Sequence, residues 1–285
     1  MRRSTVLLLA MLLVVVGCAR QAPQLSSGPS ASPTAEAPVL VGSTSDQTVQ
    51  VLAELYVQAL ASKNRDARVV VVDDDPNAQV SRLMADELDV VPAFAWSAAQ
   101  ALQVDTQDPQ SLVSDLAAAL DGEAAVLQPS KVDRRWRYVS RSVTSLLDLS
   151  AKTTVVAPER WRAAPDGPSG LAAIYRAKPS VTVLADANQR LAQVKKGAIG
   201  VFDGTEPQGA DAGLKVLADP KTMIVSDPQI ALLRVQRAED DTVLEVIQQL
   251  HGALDNAAVI GIRKRAATIG VPAAVTEWLN AHPVR

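Results

Sequence analysis

Four tryptophans, three tyrosines, two phenylalanines, two histidines and one cysteine in 285 residues are the scarcities that narrow this sequence first. A lone cysteine, Cys18, excludes an intrachain disulfide. His251 and His282 have no second soft ligand near them in the chain, so neither a zinc nor an iron motif is present. Without a nucleophile elbow they also give no histidine-assisted nucleophile pattern. No P-loop occurs, so any ATPase belongs to another chain. Net charge is −3 with no long block of one sign, which excludes the basic stripe of a nucleic-acid binder. The longest apolar run, Val6 to Val16, falls short of the ~20 residues that span a bilayer. What remains is 48% hydrophobic and 21% charged, enough for one large or two medium domains with real cores.

The apolar run follows Arg2 and Arg3, as in a signal peptide, and ends in Val15-Val16-Gly17-Cys18. That is a lipobox, and the only cysteine stands where bacterial lipoproteins are acylated and cleaved. An ordinary signal peptide with an incidental cysteine is the alternative. Residues 19–38 are rich in Ala, Ser, Pro, Gln and Gly and read as a flexible tether. The expectation is a signal peptide over 1–18 and a chain held by lipid on Cys18 to the extracytoplasmic face of the cell membrane.

Strand and helix patterns alternate from there on. Val39-Leu40-Val41-Gly42 reads as a buried strand, and Thr44 with Gln47 has capping-box spacing, which starts a helix near Ser45. The N–H groups around Ser43, Thr44 and Asp46 suit an anion, or simply a capped helix. Val69 to Val72 is β-branched throughout, as in a strand covered on both faces. Asp73-Asp74-Asp75 invites a metal, but its spacing fits no calcium loop and a solvated turn is the simpler reading. Phe94 and Trp96 follow a strand at 88–92, offering either ring faces for a cation or core packing. A helix over 109–120 and a strand at 124–127 come next. The basic segment Lys131 to Arg141, with Trp136 and Tyr138, reads as a crossing between lobes, either a solvated surface or part of a ligand site.

The organising stretch is 165–206, from Pro165-Asp166-Gly167 to Asp203-Gly204-Thr205. It contains a glycine-punctuated turn, a short helix, a strand at 181–184, a helix over 187–196 and a strand at 199–203. Ligands in α/β sheets lie beyond the carboxyl ends of strands. Strands at 214–218 and 230–235 and three helices close the chain. The first of these, Thr242 to Leu254, puts Val243, Val246, Ile247, Leu250 and Leu254 on one face. The whole pattern predicts an α/β fold with mixed, mostly parallel sheets.

Several of these pieces together resemble one family. Pro165-Asp166-Gly167 with Gly170-Leu171 and Tyr175, the strand Gly197-x-x-x-Val201-x-Asp203, and Leu88-Asp89-Val90-Val91-Pro92 carry the likeness. Gly42-Ser43 and Trp278-Leu279 add to it. The chain is similar to the substrate-binding proteins of ABC importers for glycine betaine, choline and proline betaine, over about residues 39 to 283. The resemblance implies a type II-like, two-lobed periplasmic-binding fold with a cleft between lobes. It implies lobe one over 39–130 and 218–285, lobe two over 131–217, and a non-enzymatic monomer without cofactor or metal. It also implies a small-molecule solute, with permease and ATPase subunits on other chains and no nucleic acid.

The departures fall in the ligand cage. Where the family pattern reads Tyr-Pro-x-Tyr, this chain has Val91-Pro92-Ala93-Phe94. Ala164 stands where an arginine is common, and Thr205 where a tyrosine is. The resemblance therefore implies the scaffold with altered specificity. The expected ligand-binding residues are Ser43, Thr44, Asp46, Phe94, Trp96, Trp136, Asp166, Gly167, Asp203 and Thr205. A ligand sensor or protein-interaction module on the same fold is the alternative function.

Overall fold

The computed structural model describes residues 37–104 and 111–284. The signal peptide, Cys18, nearly all of the tether and the first residues of the helix expected over 109–120 lie outside the described residues. Among the described residues no helix is long and apolar enough to cross a membrane.

The first lobe opens with β1 (Val39–Ser43), α1 (Gln47–Ser62), β2 (Ala67–Val71), α2 (Pro76–Met84), β3 (Val90–Phe94), α3 (Ala95–Ala101), α4 (Leu112–Ala119) and β4 (Ala124–Val126). The chain then crosses into β5 (Trp136–Ser140), β6 (Thr154–Ala157), α5 (Glu159–Arg162), α6 (Pro168–Gly170), β7 (Ser180–Val183), α7 (Ala187–Lys195), β8 (Ile199–Asp203) and β9 (Lys215–Val216). It returns through β10 (Gln229–Arg234) into α8 (Val235–Ala238), α9 (Asp241–Ala253), α10 (Asn256–Ile269) and α11 (Val271–Ala281).

The two sheets have the orders β2-β1-β3-β10-β4 and β7-β6-β8-β5-β9. In each, four strands run one way and one opposes them, β10 in the first and β5 in the second. The opposing strand is in both cases the first that the chain enters after crossing. This is the two-lobed periplasmic-binding architecture. Residues 136–140, read from sequence as part of the crossing, are instead an inner strand of the second sheet. Tyr138 and Val139 are buried on its opposite faces, while Arg137 hid the alternation.

The first sheet has a core on each face. Leu52, Leu55 and Tyr56 of α1 pack with Ile247 and Leu250 of α9 on one side. Leu83, Leu88, Leu112 and Leu116 fill the other. Each such buried side chain contributes ~1.5–3 kcal/mol of transfer free energy. The β2 valines depart from expectation: β2 is an edge strand and Val71 is 71% exposed. A β-branched run marks extended backbone, not its place in the sheet. In the second lobe Trp161, Leu171 and Val201 form one core, and Met223 joins it before the chain crosses back.

The capping box also resolves differently. Asp46 is the cap of α1, accepting from the N–H groups of Thr48 (2.8 Å) and Val49 (3.3 Å). Thr44 Oγ1 accepts from the Asp46 N–H instead, and Gln47 reaches Arg263. A carboxylate at the helix start is the stronger acceptor for those donors and sits favourably in the helix dipole.

The two crossing segments lie side by side. Arg134 N donates to Asp227 O (2.9 Å) and Gln229 N to Val132 O (2.8 Å). The Asp133 carboxylate joins them, accepting from Arg135 N (2.8 Å), Ser226 Oγ (2.7 Å) and Asp227 N (3.0 Å). Burial alone would raise its pKa, but the Arg135 guanidinium, donating through Nε (2.7 Å), and these donors hold it below the usual carboxylate range.

Candidate functional site

The carboxyl ends of β1, β3, β6 and β8 converge near the crossing, and a cleft of about 560 Å³ opens there. That is within the size range of small-molecule sites. Beyond β1, Thr44 and Asp46 reach the cleft at the start of α1. Beyond β3, Phe94 and Trp96 do so, the Trp96 N–H donating to Asp227 Oδ1 at 2.8 Å. The crossing contributes Arg134, the start of β5 gives Trp136, and the start of α5 gives Arg160.

Two guanidinium groups lie on two of these rings. Arg134 stands 4.0 Å from the Phe94 ring centroid and donates through Nη2 to Ser97 Oγ (2.7 Å). Asp46 and Asp227 are each 3.6 Å from it. Arg160 stands 4.8 Å from the Trp136 centroid and is ion-paired with the buried carboxylate of Asp203.

The carboxyl groups here are pushed in different directions. Burial would raise Asp203, but the charges of Arg160 and Arg134 and the Thr205 hydroxyl bring it to about 2. Asp227 is raised by burial, which its nearby arginine only partly offsets. Asp166 is raised to about 6, chiefly by burial, with the Val225 N–H (3.1 Å) working the other way. Two lining residues carry a shielded side-chain donor without a partner among the described residues, Trp96 Nε1 and Gln79 Nε2.

Of the residues expected at the site, Thr44, Asp46, Phe94, Trp96, Trp136 and Asp166 line this one cleft. Ser43, Gly167, Asp203 and Thr205 lie behind it. Ser43 is buried at the end of β1. Gly167 is tucked under Trp161, where a Cβ would lie 2.2 Å from the Trp161 carbonyl oxygen. Asp203 reaches the cleft only through Arg160. Thr205 turns toward the first lobe, its hydroxyl 2.8 Å from that of Thr48. Sequence reasoning missed Arg160, Asp227 and Gln79, and touched Arg134 only as a member of the basic segment 131–141. The available signal for Arg160 was its place just beyond a strand end, two residues after Pro158. Asp73-Asp74-Asp75 is the solvated turn: Asp75 caps α2 through the Asn77 N–H (3.0 Å) and Asp74 accepts from Ser45 N (2.7 Å).

Comparison with known proteins adds three findings. The family model described as the substrate binding domain of ABC-type glycine betaine transport system matches residues 37–281. Among curated protein sequences nothing matches. Among solved structures, apo YehZ from Escherichia coli superposes with a TM-score of 0.69 at 18% identity, over 88% of this chain and 100% of that one. A glycine betaine/carnitine/choline ABC transporter structure gives a TM-score of 0.74 at 13% identity, over 86% and 98%. Lactococcal OpuAC, closed on glycine betaine, gives 0.61 at 13% identity, over 87% and 96%.

Proposed function

The chain belongs to the family of substrate-binding domains of ABC-type glycine betaine transport systems, and from that premise we propose that it is a lipid-anchored receptor with altered solute specificity. As a member it is an extracytoplasmic substrate-binding protein of an ABC importer and not an enzyme. Its partners are a small solute and the transporter's other chains. The anchor is the lipid on Cys18, and replacing that residue, Cys18→Ser, is expected to move the protein from the membrane fraction to the soluble one. Retention of the variant in the membrane fraction would count against the anchor.

The lining of the cleft carries the changed specificity. Val91 and Ala164 stand at the cleft where the family pattern has a tyrosine and an arginine, and Thr205 lies behind it where a third cage residue would stand. Each missing ring removes ~0.5–2 kcal/mol of cation–π attraction. Loss of two rings and the arginine takes a micromolar site for a betaine toward millimolar, since 1.4 kcal/mol is tenfold. The open cleft, with unpaired donors on two of its lining residues, favours a solute receptor over an interaction module, whose cleft would be filled by its own side chains.

A thermal-shift screen of the purified protein tests this. The panel holds glycine betaine, choline, carnitine, proline betaine, amino acids, polyols and aromatic solutes. A ligand at a hundred times its Kd adds ~2.7 kcal/mol to stability, which raises Tm by several degrees. The expected result is a shift with a solute outside the quaternary amines. A shift with the betaines would refute the changed specificity, and silence throughout would refute the receptor.

A further inference from the structure

The cleft displays two chemistries, and they are unequally satisfied. Apart from the exposed Glu159, its carboxylates are engaged with backbone donors. Asp46 caps α1, Asp75 caps α2, Asp74 holds the Ser45 N–H, Asp166 the Val225 N–H and Asp227 the Trp96 N–H. Its donors are less fully engaged: Arg135 is paired with Asp133 and Arg134 Nη2 with Ser97 Oγ, but others are left over. Arg134 Nη1 and Nε lie 3.6 Å from Asp46 and Asp227, beyond good hydrogen-bond length. Arg160 binds Asp203 through Nη2, and its side chain is 38% exposed. Trp96 Nε1 and Gln79 Nε2 are shielded from water and have no partner among the described residues. A buried donor without an acceptor is costly, so a ligand that supplies acceptors is favoured where one that supplies donors is not.

Two of the three aromatic rings on the lining point the same way. A ring binds a cation through its face, and here the faces of Phe94 and Trp136 already carry guanidinium groups, 4.0 and 4.8 Å from the centroids. A quaternary ammonium entering the cleft would have to displace a cation that is ion-paired or hydrogen-bonded in place, or lie beside it with like charge. The site carries its own fixed cations.

We propose that the solute is a carboxylate-bearing compound without a quaternary ammonium group, with Arg134, Arg160 and Trp96 as its specificity-determining residues. This rests on the reading of the cleft as a solute site. The planar guanidinium groups offer paired N–H donors to a carboxylate, and the indole N–H adds a further donor from the opposite lobe to Arg160. Donors from both lobes on one anion would also draw the lobes together.

Calorimetric titration of the purified protein with malate, gluconate, choline and trehalose tests this, repeated on Arg160→Gln and Trp96→Phe. Arg160→Gln leaves Asp203 without its ion-pair partner. Trp96→Phe removes only the indole N–H and its smaller ring, and serves as the second variant should the first not fold. At least one carboxylate is expected to bind at least ~10-fold more tightly than choline. Each substitution is expected to weaken it by ~10-fold, whereas choline binding is expected not to weaken with either and to strengthen with Arg160→Gln, which uncovers the Trp136 face. Choline binding as tightly as the carboxylates would overturn the proposal, as would carboxylate binding indifferent to both substitutions. A response to trehalose alone would overturn the carboxylate class while leaving a solute receptor. Silence for all four probes overturns the class as well, and the wider thermal-shift panel then decides the receptor reading separately.

Discussion

Asp166 and Asp203 show how far two carboxyl groups of one lobe diverge when their surroundings differ. Asp166 rises from 3.8 to about 6, so the folded protein holds a proton there that the unfolded chain has released. Between pH 6 and pH 4 the native state therefore binds more protons, and stability from this group increases as pH falls. The full difference is about 3 kcal/mol. Asp203 goes the other way, to about 2, so its contribution is present above pH 4 and is lost as pH falls toward 2. Wild-type Tm is expected to rise between pH 7 and pH 5 relative to Asp166→Asn, whose profile should be flatter. Parallel Tm profiles for the two proteins would rule the effect out. The sequence marked both residues as functional through the turn and strand motifs that carry them. It could not show that one is held acid-strengthened by arginines remote in the chain and the other weakened by burial. Gly204 is similar. Its need for glycine comes from the Asp133 carbonyl, which a Cβ would approach to 2.1 Å, and that neighbour is far away in sequence.

Elements were legible where periodicity was strong. Val243, Val246, Ile247 and Leu250 all fall on the buried face of α9, as their spacing requires. Elements were misread where charge interrupted the period, as in β5, or where an edge strand kept a core-like composition, as in β2. Helix α10 was foreseen as an element but not for what it touches. From α10, Arg263 donates through Nη1 to the Thr205 carbonyl (2.9 Å) and to Thr48 Oγ1 of α1 (2.9 Å). Asn256, at the start of α10, donates to the carbonyls of Gly204 (2.7 Å) and Asp133 (2.8 Å). One helix of the first lobe thus holds the loop after β8 in the second. Removing the guanidinium, Arg263→Ala, is expected to loosen this contact and enlarge the radius of gyration of the unliganded protein. Small-angle scattering measures that, and identical curves for variant and wild type would show that the contact does not restrain the lobes.

At the scale of the whole molecule, the two sheets repeat one plan without repeating a sequence. Each has three parallel strands, then the strand that opposes them, then a short edge. This is why α/β alternation sufficed to read the architecture, while the cleft composition did not follow from it. The lining assembles residues from both lobes and from both crossings, so no local window contains it. Arg134 and Asp227 meet across 93 residues of chain only because the crossings run alongside each other.

That adjacency has a genetic meaning. With Gln229 N on Val132 O at 2.8 Å, the second lobe enters and leaves the first at neighbouring points. It is topologically an insertion, a passenger whose two ends meet at a doorway, and such ends can be rejoined by a short turn or grafted into another host. The first lobe, by contrast, is split between the two ends of the chain, so on a ribosome it waits for its last strand and helices until the second has already emerged.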